Sequence, residues 1–315
     1  QRVRKATAHL TLRLSPFTLH PSLFTLHPSM KPREIFTLLA LSAIWGASYL
    51  FIRIAAPLLG SVVLASARLL IGGGLVLAYA VAIGQKPELR QRWKMFLLLG
   101  AINSALPMTL IGIAVSNLNA SISAVINATV PLFTSLVAAI WLKDKLRPKQ
   151  LAGIALGLAG VIVLMGWSPL PLTPAVLLAA LLAVLAALCY GIGNVFVRVG
   201  FKGVPTLTMT IAQQLFAGTL LLPLAMANAP AAHPTPLGLF AALALGLLCT
   251  GFAYMLYFRL IGSLGPTRTA VYAYMVPFFS ILWGGIFLGE PLSAGLVGGL
   301  AIILFSVALV TGVIG

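Results

Sequence analysis

The sequence predicts an all-α membrane protein in which ten transmembrane helices form two inverted five-helix repeats. Three observations carry this prediction: an apolar composition, ten apolar segments of membrane-spanning length, and a pattern that occurs twice. Of the 315 residues, 60% are hydrophobic and 8% are charged, and the mean hydropathy is +1.08. Soluble domains carry about 25% charged residues. A water-soluble fold could not bury this much apolar surface, so the lipid bilayer is the predicted solvent.

Ten apolar segments follow one another from Glu34 onward, each close to the ~20 residues that cross a bilayer. Clusters of Pro, Gly and charged residues separate them, and no loop is long enough to hold a soluble domain. The predicted helices, numbered 1 to 10, cover residues 35–57, 61–83, 95–115, 119–142, 149–166, 175–198, 205–226, 237–258, 265–288 and 294–314.

The distribution of Lys and Arg predicts the orientation. If the loops alternate between the two sides, one side holds 18 of the 20 basic residues, and the other holds Arg53 and Arg68. Without the first 29 residues the bias is still 14 to 2. Both termini are therefore expected in the cytoplasm. The net charge of +16 does not indicate a nucleic-acid partner, because the basic residues form no basic face.

The first 29 residues are expected to be a non-native or disordered tail. "FTLHPS" occurs twice, at residues 17–22 and 24–29, and no apolar core precedes a small-residue cleavage site. Met30 then opens "MKPREIF", a short basic lead into a first membrane helix.

A sequence pattern recurs halfway along the chain. An offset of 145 residues superimposes Trp45 on Tyr190, Gly46 on Gly191, Tyr49 on Asn194 and Arg53 on Arg198. An offset of 146 superimposes Pro131 on Pro277, Asp144 on Glu290 and Gly153 on Gly299. The predicted repeats are residues 30–168 and 169–315. Because five helices is an odd number, the second repeat enters the membrane inverted, an arrangement typical of secondary transporters.

Longer stretches resemble a known family. "ARLLIGG" from Ala67, "INATVPLFTSLVAAIWLKDKLRPKQLAGIALGLAGVIVL" from Ile126 and "YAYMVPFFSILWGGIFLGEPLSAGLVGGLAIILFSVAL" from Tyr272 are similar to the EamA repeat of the drug/metabolite transporter superfamily. Asp144 stands where that repeat usually has Glu. The resemblance covers residues 31–314. It implies a ten-helix bundle whose central cavity is lined mainly by helices 1, 3, 4, 6, 8 and 9, with helices 5 and 10 at the periphery.

Uncharged polar and aromatic side chains on the cavity-lining helices are the candidate substrate-binding residues. Trp45 and Tyr49 share one face of helix 1, and Tyr190 and Asn194 hold the matched positions of helix 6. The alternatives are membrane-interface or packing roles for the aromatics and interhelical hydrogen bonds for the amides. The predicted set is Trp45, Tyr49, Asn103, Asn127, Tyr190, Asn194, Tyr254 and Tyr272.

Two prolines and two arginines are the candidate gating or hinge residues. Pro131 and Pro277 occupy matched mid-helix positions, where each makes either a static bend or a hinge. Arg53 and Arg68 oppose the charge bias, which predicts a gating contact or a substrate carboxylate at the outer mouth. Arg198 is expected to extend to the nearby membrane surface.

The positions of the titratable residues exclude several functions. All four acidic residues fall at helix ends or in loops, and the four histidines fall in the tail or in a loop. We therefore expect no catalytic residue, metal or cofactor, and no proton coupling through a buried carboxylate. The predicted function is export of small metabolites, amino acids above all, by alternating access across a bacterial inner membrane. The alternatives are a nucleotide-sugar or drug transporter, or a non-transporting scaffold or channel.

Overall fold

All ten predicted helices are present in the computed structural model, which describes residues 31–168 and 170–312. Nine are long and apolar enough to cross a membrane, and the remaining one, α9, is an apolar helix of 17 residues. The predicted tail lies outside the described residues. The helices are α1 (Pro32–Leu59), α2 (Ser61–Ala82), α3 (Trp93–Val115), α4 (Ala120–Trp141), α5 (Pro148–Gly166), α6 (Pro174–Gly200), α7 (Thr206–Asn228), α8 (Pro236–Gly265), α9 (Tyr272–Leu288) and α10 (Ala294–Thr311).

The helices begin where the sequence supplies N-cap residues. The hydroxyls of Thr173, Thr235 and Ser293 accept hydrogen bonds from backbone N–H groups three residues on, at 3.3, 3.1 and 3.1 Å. Pro174 and Pro236 then occupy the first helical position, where the missing N–H costs no intrahelical bond. These short polar signals set the starts of α6, α8 and α10.

Helix α9 begins later than predicted. The predicted start was residue 265, whereas the helix starts at Tyr272. Gly265 has φ of 79°, a left-handed conformation that interrupts the helical path at the end of α8. A helical turn follows as far as Thr269. The loop between α8 and α9 therefore takes residues that the apolar pattern assigned to the membrane span.

Matched contacts relate the two repeats. A Cβ added to Gly46 of α1 would lie 2.9 Å from the backbone nitrogen of Ser280 in α9. A Cβ added to Gly191 of α6 would lie 2.9 Å from the backbone nitrogen of Thr134 in α4. The helix pairs α1–α9 and α6–α4 thus approach at equivalent residues. The structure confirms the predicted fold of two five-helix repeats.

Helices α2 and α7 pack on each other across the boundary between the repeats. Gly73 of α2 packs on Leu215 of α7, and Gly218 of α7 packs on Leu70 of α2. The offset of 145 residues found in helices 1 and 6 also relates these contacts, because it superimposes Gly73 on Gly218 and Leu70 on Leu215. The contact fixes the register of these two helices.

Helices α5 and α10, which the resemblance implied to be peripheral, pack closely on each other. A Cβ at Gly153 would lie 2.7 Å from Val310, and one at Gly299 would lie 2.7 Å from Leu164. Small residues let the two backbones approach closely, which favours helix association in lipid. The outward side chains of these helices are apolar, and Ile162 is 72% exposed.

Helices α3, α4 and α8 depart from regular α-helix. Residues Ala101–Ala105 of α3 and Ala244–Phe252 of α8 are π-helical, and an offset of 146 residues brings them into register. Helix α4 is broken between Asn127 and Val130, so Pro131 is the second residue of its second half. π-Helical stretches occur often at functional sites. Hydrophobic periodicity gave no indication of them.

Candidate functional site

An aromatic cluster joins α1, α8 and α9. The indole nitrogen of Trp45 donates a hydrogen bond of 3.0 Å to the backbone carbonyl of Cys249 in the π-helical part of α8. The Trp45 ring contacts Tyr272, Tyr254 and Tyr257, with centroid distances of 4.5, 5.6 and 5.7 Å. Edge-to-face arrangements such as those with Tyr254 and Tyr272 are favoured by ring quadrupoles.

The cluster extends to α4 and α6. Tyr49 is buried with its hydroxyl next to the amide of Asn127, and Tyr190 packs against the group of buried residues that contains Tyr49. Cys249, whose carbonyl receives the indole N–H of Trp45, belongs to the same group of buried residues. We call these residues the polar-aromatic cluster: Trp45, Tyr49, Asn127, Tyr190, Tyr254, Tyr257 and Tyr272. It contains six of the eight predicted substrate-binding residues and unites both repeats.

The other two predicted residues make different contacts. Asn103, in the π-helical part of α3, donates a hydrogen bond of 3.2 Å from its amide nitrogen to the amide oxygen of Gln213 in α7. Asn194 is exposed and donates a hydrogen bond of 3.3 Å to the hydroxyl of Thr134 in α4. Both amides therefore make interhelical hydrogen bonds, the alternative that the sequence left open for polar groups in a membrane.

Tyr257 belongs to the cluster but was not among the predicted residues. It lies three residues after Tyr254, so the two side chains share one face of α8, and their rings are 6.0 Å apart. This spacing is a sequence signal that could have identified it. The Cys249 carbonyl that receives Trp45 could not be foreseen, because the π-helical backbone that presents it has no sequence signature here.

The end of the bundle at which α1 finishes, here called the far face, is held together by two charged side chains. Arg53 of α1 donates hydrogen bonds to the backbone carbonyls of Val115 and Ser116 at the end of α3, the latter at 3.0 Å. The carboxylate of Glu290 accepts hydrogen bonds from the backbone N–H groups of Ala120 at 2.7 Å and Ser121 at 3.0 Å. A cation at a helix C-terminus and an anion at a helix N-terminus both complement the helix dipole.

The matched residues behave differently at the opposite end, here called the N face, where α1 begins. Arg198, matched to Arg53, and Asp144, matched to Glu290, form an ion pair of 3.1 Å with each other. Their side chains are 50% and 49% exposed. Arg198 is expected to extend to the membrane surface; it lies in the last turn of α6, half exposed, and its guanidinium has a carboxylate partner. The matched residues therefore have different partners at the two faces: backbone groups of helix ends at the far face, and each other at the N face.

Arg68 lies inside the bundle and not at a helix end. It occupies the second turn of α2, and 8% of its surface is exposed. Its guanidinium donates hydrogen bonds to the hydroxyl of Thr250 in the π-helical part of α8, with nitrogen-to-oxygen distances of 3.4 and 3.2 Å.

Pro131 and Pro277 have different surroundings although they hold matched positions. Pro131 follows the break in α4, whereas Pro277 lies inside the continuous helix α9 and is buried. A proline in the first turn of a helix leaves no intrahelical bond unmade, but one inside a helix removes a bond. The two prolines therefore affect their helices to different degrees.

A cavity of about 680 Å³ opens at the N face among the ends of α2, α7 and α8. Its wall includes Tyr79, Gln85, Thr206, Met255 and Arg259, and it includes no residue of the predicted set. Within the polar-aromatic cluster, by contrast, the rings of Trp45, Tyr254, Tyr257 and Tyr272 contact one another directly.

Comparison with known proteins agrees with this architecture. The chain is 32% identical over 280 residues to the "uncharacterized inner membrane transporter YedA" of Escherichia coli strain K12, covering 87% of this chain and 89% of that protein. It is 26% identical over 285 residues to the "uncharacterized transporter YvbV" of Bacillus subtilis, covering 89% and 92% of the two chains. It is 26% identical over 275 residues to "protein PecM" of Dickeya dadantii, covering 85% and 88%.

A solved crystal structure shares the fold, with a TM-score of 0.63 at 22% sequence identity, covering 89% of this chain and 96% of that chain. The sequence model of the EamA-like transporter family matches residues 32–166 and again residues 177–312. These two matches fall on the two five-helix halves of the structure. The chain is thus a membrane transporter that belongs to the EamA-like transporter family of the drug/metabolite transporter superfamily.

Proposed function

We propose that this transporter exports neutral amino acids, with broad selectivity, through a site built from the polar-aromatic cluster. The observation that carries the proposal is the convergence of uncharged indole, phenol and amide groups from both repeats. Trp45 and Tyr190, matched by the offset of 145 residues, both belong to it. A zwitterion has no net charge and is held by dipoles, while aromatic faces receive an apolar side chain.

Transport would proceed by alternating access. Support comes from the unequal pairing of matched residues: Arg53 and Glu290 hold helix ends at the far face, whereas Arg198 and Asp144 hold each other at the N face. Rocking of the two repeats would exchange these pairings, with Arg198 meeting the end of α8 and Asp144 meeting the turn before α9. Such exchange is the expected behaviour of inverted repeats around a fixed site.

Both termini would face the cytoplasm in the inner membrane of a bacterium. The bias of 18 basic residues to 2 supports the orientation. The inner-membrane assignment carried in the name of YedA supports the location. Repeat boundaries at residues 30–168 and 169–315 agree with the two family matches.

The transporter would run down the gradient of its substrate. All four acidic residues are within the described part of the chain, and each lies at a helix end or in a loop: Glu34, Glu88, Asp144 and Glu290. No side chain of the polar-aromatic cluster carries a carboxylate that could exchange a proton with each transport cycle.

Solute counterflow into liposomes that contain the purified protein tests this function. We expect labelled threonine, methionine or phenylalanine to accumulate transiently against an internal pool of the unlabelled amino acid. Exchange of nucleotide sugars or cationic drugs with no exchange of amino acids would overturn the proposed substrate class. Unrestricted leakage of solutes without counterflow would instead indicate a channel. No movement of any solute would indicate a scaffold.

A further inference from the structure

Arg68 is a buried cation without an anionic partner among the described residues. Its guanidinium donates hydrogen bonds to Thr250 from Nε and from one terminal nitrogen, and its other terminal nitrogen makes none to a described residue. The Thr250 hydroxyl is neutral, so it does not balance the charge. A guanidinium inside a membrane protein is costly unless an anion, a ring of dipoles or water compensates it.

None of the four acidic side chains is available to Arg68. The carboxylate of Glu34 caps the start of α1, and that of Glu290 caps the start of α4. Asp144 pairs with Arg198, and Glu88 is exposed in the loop between α2 and α3. These are the four acidic residues of the whole sequence. The missing anion therefore has to come from outside the chain.

The repeat relationship argues that packing does not require a charge at this position. The offset of 145 residues that relates α2 to α7 superimposes Arg68 on Gln213. Each of the two side chains hydrogen-bonds a residue in the π-helical part of the facing helix, Thr250 in α8 for Arg68 and Asn103 in α3 for Gln213. A neutral amide thus fills the equivalent place in the second repeat, so the charge of Arg68 has a role beyond helix packing.

Arg68 lies next to the polar-aromatic cluster. Its guanidinium donates to the hydroxyl of Thr250, and the preceding residue, Cys249, presents the carbonyl that accepts the indole N–H of Trp45. The amide oxygen of Asn127, next to Tyr49, is buried and has no hydrogen-bond partner among the described residues. The hydroxyl oxygen of Ser123, one turn earlier on α4, is in the same condition. Arg68, next to the cluster, is thus a cation without an anion, and Asn127, within the cluster, has an acceptor without a donor.

We infer that Arg68 binds the carboxylate of the transported solute, and that the free acceptors on α4 receive its ammonium group. A guanidinium presents parallel N–H groups that match the two oxygens of a carboxylate. One positive charge balances one carboxylate, whereas a sugar diphosphate would require more cations than Arg68 alone supplies. The inference rests on the proposed transport function and specifies which part of the substrate the site selects.

Competition in the counterflow assay tests this assignment. Labelled phenylalanine is the probe, and unlabelled phenylalanine, phenylalaninamide and phenethylamine are the competitors, of which the last two lack the carboxylate. We expect phenylalanine to inhibit counterflow at a concentration on the order of tenfold to hundredfold lower than phenylalaninamide or phenethylamine does. This is the range expected for hydrogen bonds to a charged group. Arg68→Gln, which installs the residue found at the matched position, should abolish this preference. Arg90→Gln, in an exposed loop, is the matched control and should retain it.

Thermal unfolding of the same variants separates binding from folding. Because Arg68 has no anion in the empty protein, Arg68→Gln should unfold at the same temperature as the wild type or higher, and it should lose the stabilisation by phenylalanine. Wild-type protein that exchanges all three compounds equally would refute the role of Arg68 while leaving amino-acid transport intact. Arg68→Gln protein that still prefers phenylalanine would refute it as well. Failure of the wild type to exchange or bind any carboxylate would refute both proposals.

Discussion

The carboxylate of Glu290 accepts a hydrogen bond of 2.7 Å from the backbone N–H of Ala120, the first residue of α4. The contact links the α9–α10 loop of one repeat to a helix of the other. Its neighbour Ser121 donates a second backbone hydrogen bond to the same carboxylate at 3.0 Å. One acidic side chain thus satisfies two of the N–H groups that a helix leaves unpaired at its start, and it does so where the two repeats meet.

Glu290→Gln should weaken the contact between the α9–α10 loop and the start of α4 at the far face. The amide keeps one acceptor oxygen but loses the charge, and hydrogen bonds to charged groups contribute about 1.5–3 kcal/mol. We expect a lower midpoint of thermal unfolding than for Glu88→Gln, which changes an exposed loop carboxylate. In a background without the two native thiols, Ala124→Cys on α4 should also react faster with an impermeant maleimide applied at the far face. Unchanged stability and labelling would show that this contact does not close the far face.

Gly46→Ala and Gly191→Ala should each destabilise the protein. The added methyl would lie 2.9 Å from a backbone nitrogen, of Ser280 or of Thr134, and backbone cannot move aside as a flexible side chain does. Overpacking of this kind costs about 1–3 kcal/mol. Gly74→Ala is the control, because no atom lies within 4 Å of the new methyl, and alanine is favoured over glycine inside a helix by about 0.5–1 kcal/mol. Equal effects of the three changes on unfolding would contradict the matched packing.

The sequence was sufficient to predict the ten helices and the repeat, because length, apolar runs and a fixed offset are properties of the chain itself. It also identified most of the polar-aromatic cluster, since matched polar and aromatic side chains on cavity-lining helices are unusual in lipid. It did not predict the π-helical stretches or the residues at which α4 breaks, although Pro131, directly after that break, indicated a bend in the helix. The partners of Glu290 and Arg68 depend on contacts across the repeats, so spacing along the chain could not indicate them.

Transport should occur without stoichiometric proton movement. Among the described residues, the carboxylates lie at helix ends and loops, so none is positioned to carry a proton with the substrate through the bundle. Proteoliposomes that enclose a pH-sensitive dye should show no substrate-dependent change in fluorescence, and a protonophore serves to establish that the dye responds. A substrate-dependent proton flux that disappears on replacing Glu34, Glu88, Asp144 or Glu290 by Gln would contradict this prediction.

Both ends of the chain should be cytoplasmic. Fluorescent protein fused after Gly315 should fluoresce in a bacterial host, while alkaline phosphatase at the same point should be inactive. Insertion of the same reporters in the loop between α5 and α6 should give the opposite result, which makes that loop the control. An active phosphatase at the C-terminus would show that this end lies outside the cytoplasm, which would contradict the orientation derived from the basic residues.

The rate of amino-acid counterflow in variants of the two matched aromatics tests most directly whether the two repeats share one substrate site. Trp45→Ala and Tyr190→Ala each remove a ring from the polar-aromatic cluster, and burial of an aromatic side chain is worth about 1.5–3 kcal/mol. Each change should therefore slow exchange about tenfold or more at limiting substrate. Trp141→Ala, at a side chain that is 50% exposed, should keep the wild-type rate. Wild-type exchange by both cluster variants, or an equal loss in Trp141→Ala, would contradict a single site shared by the two repeats.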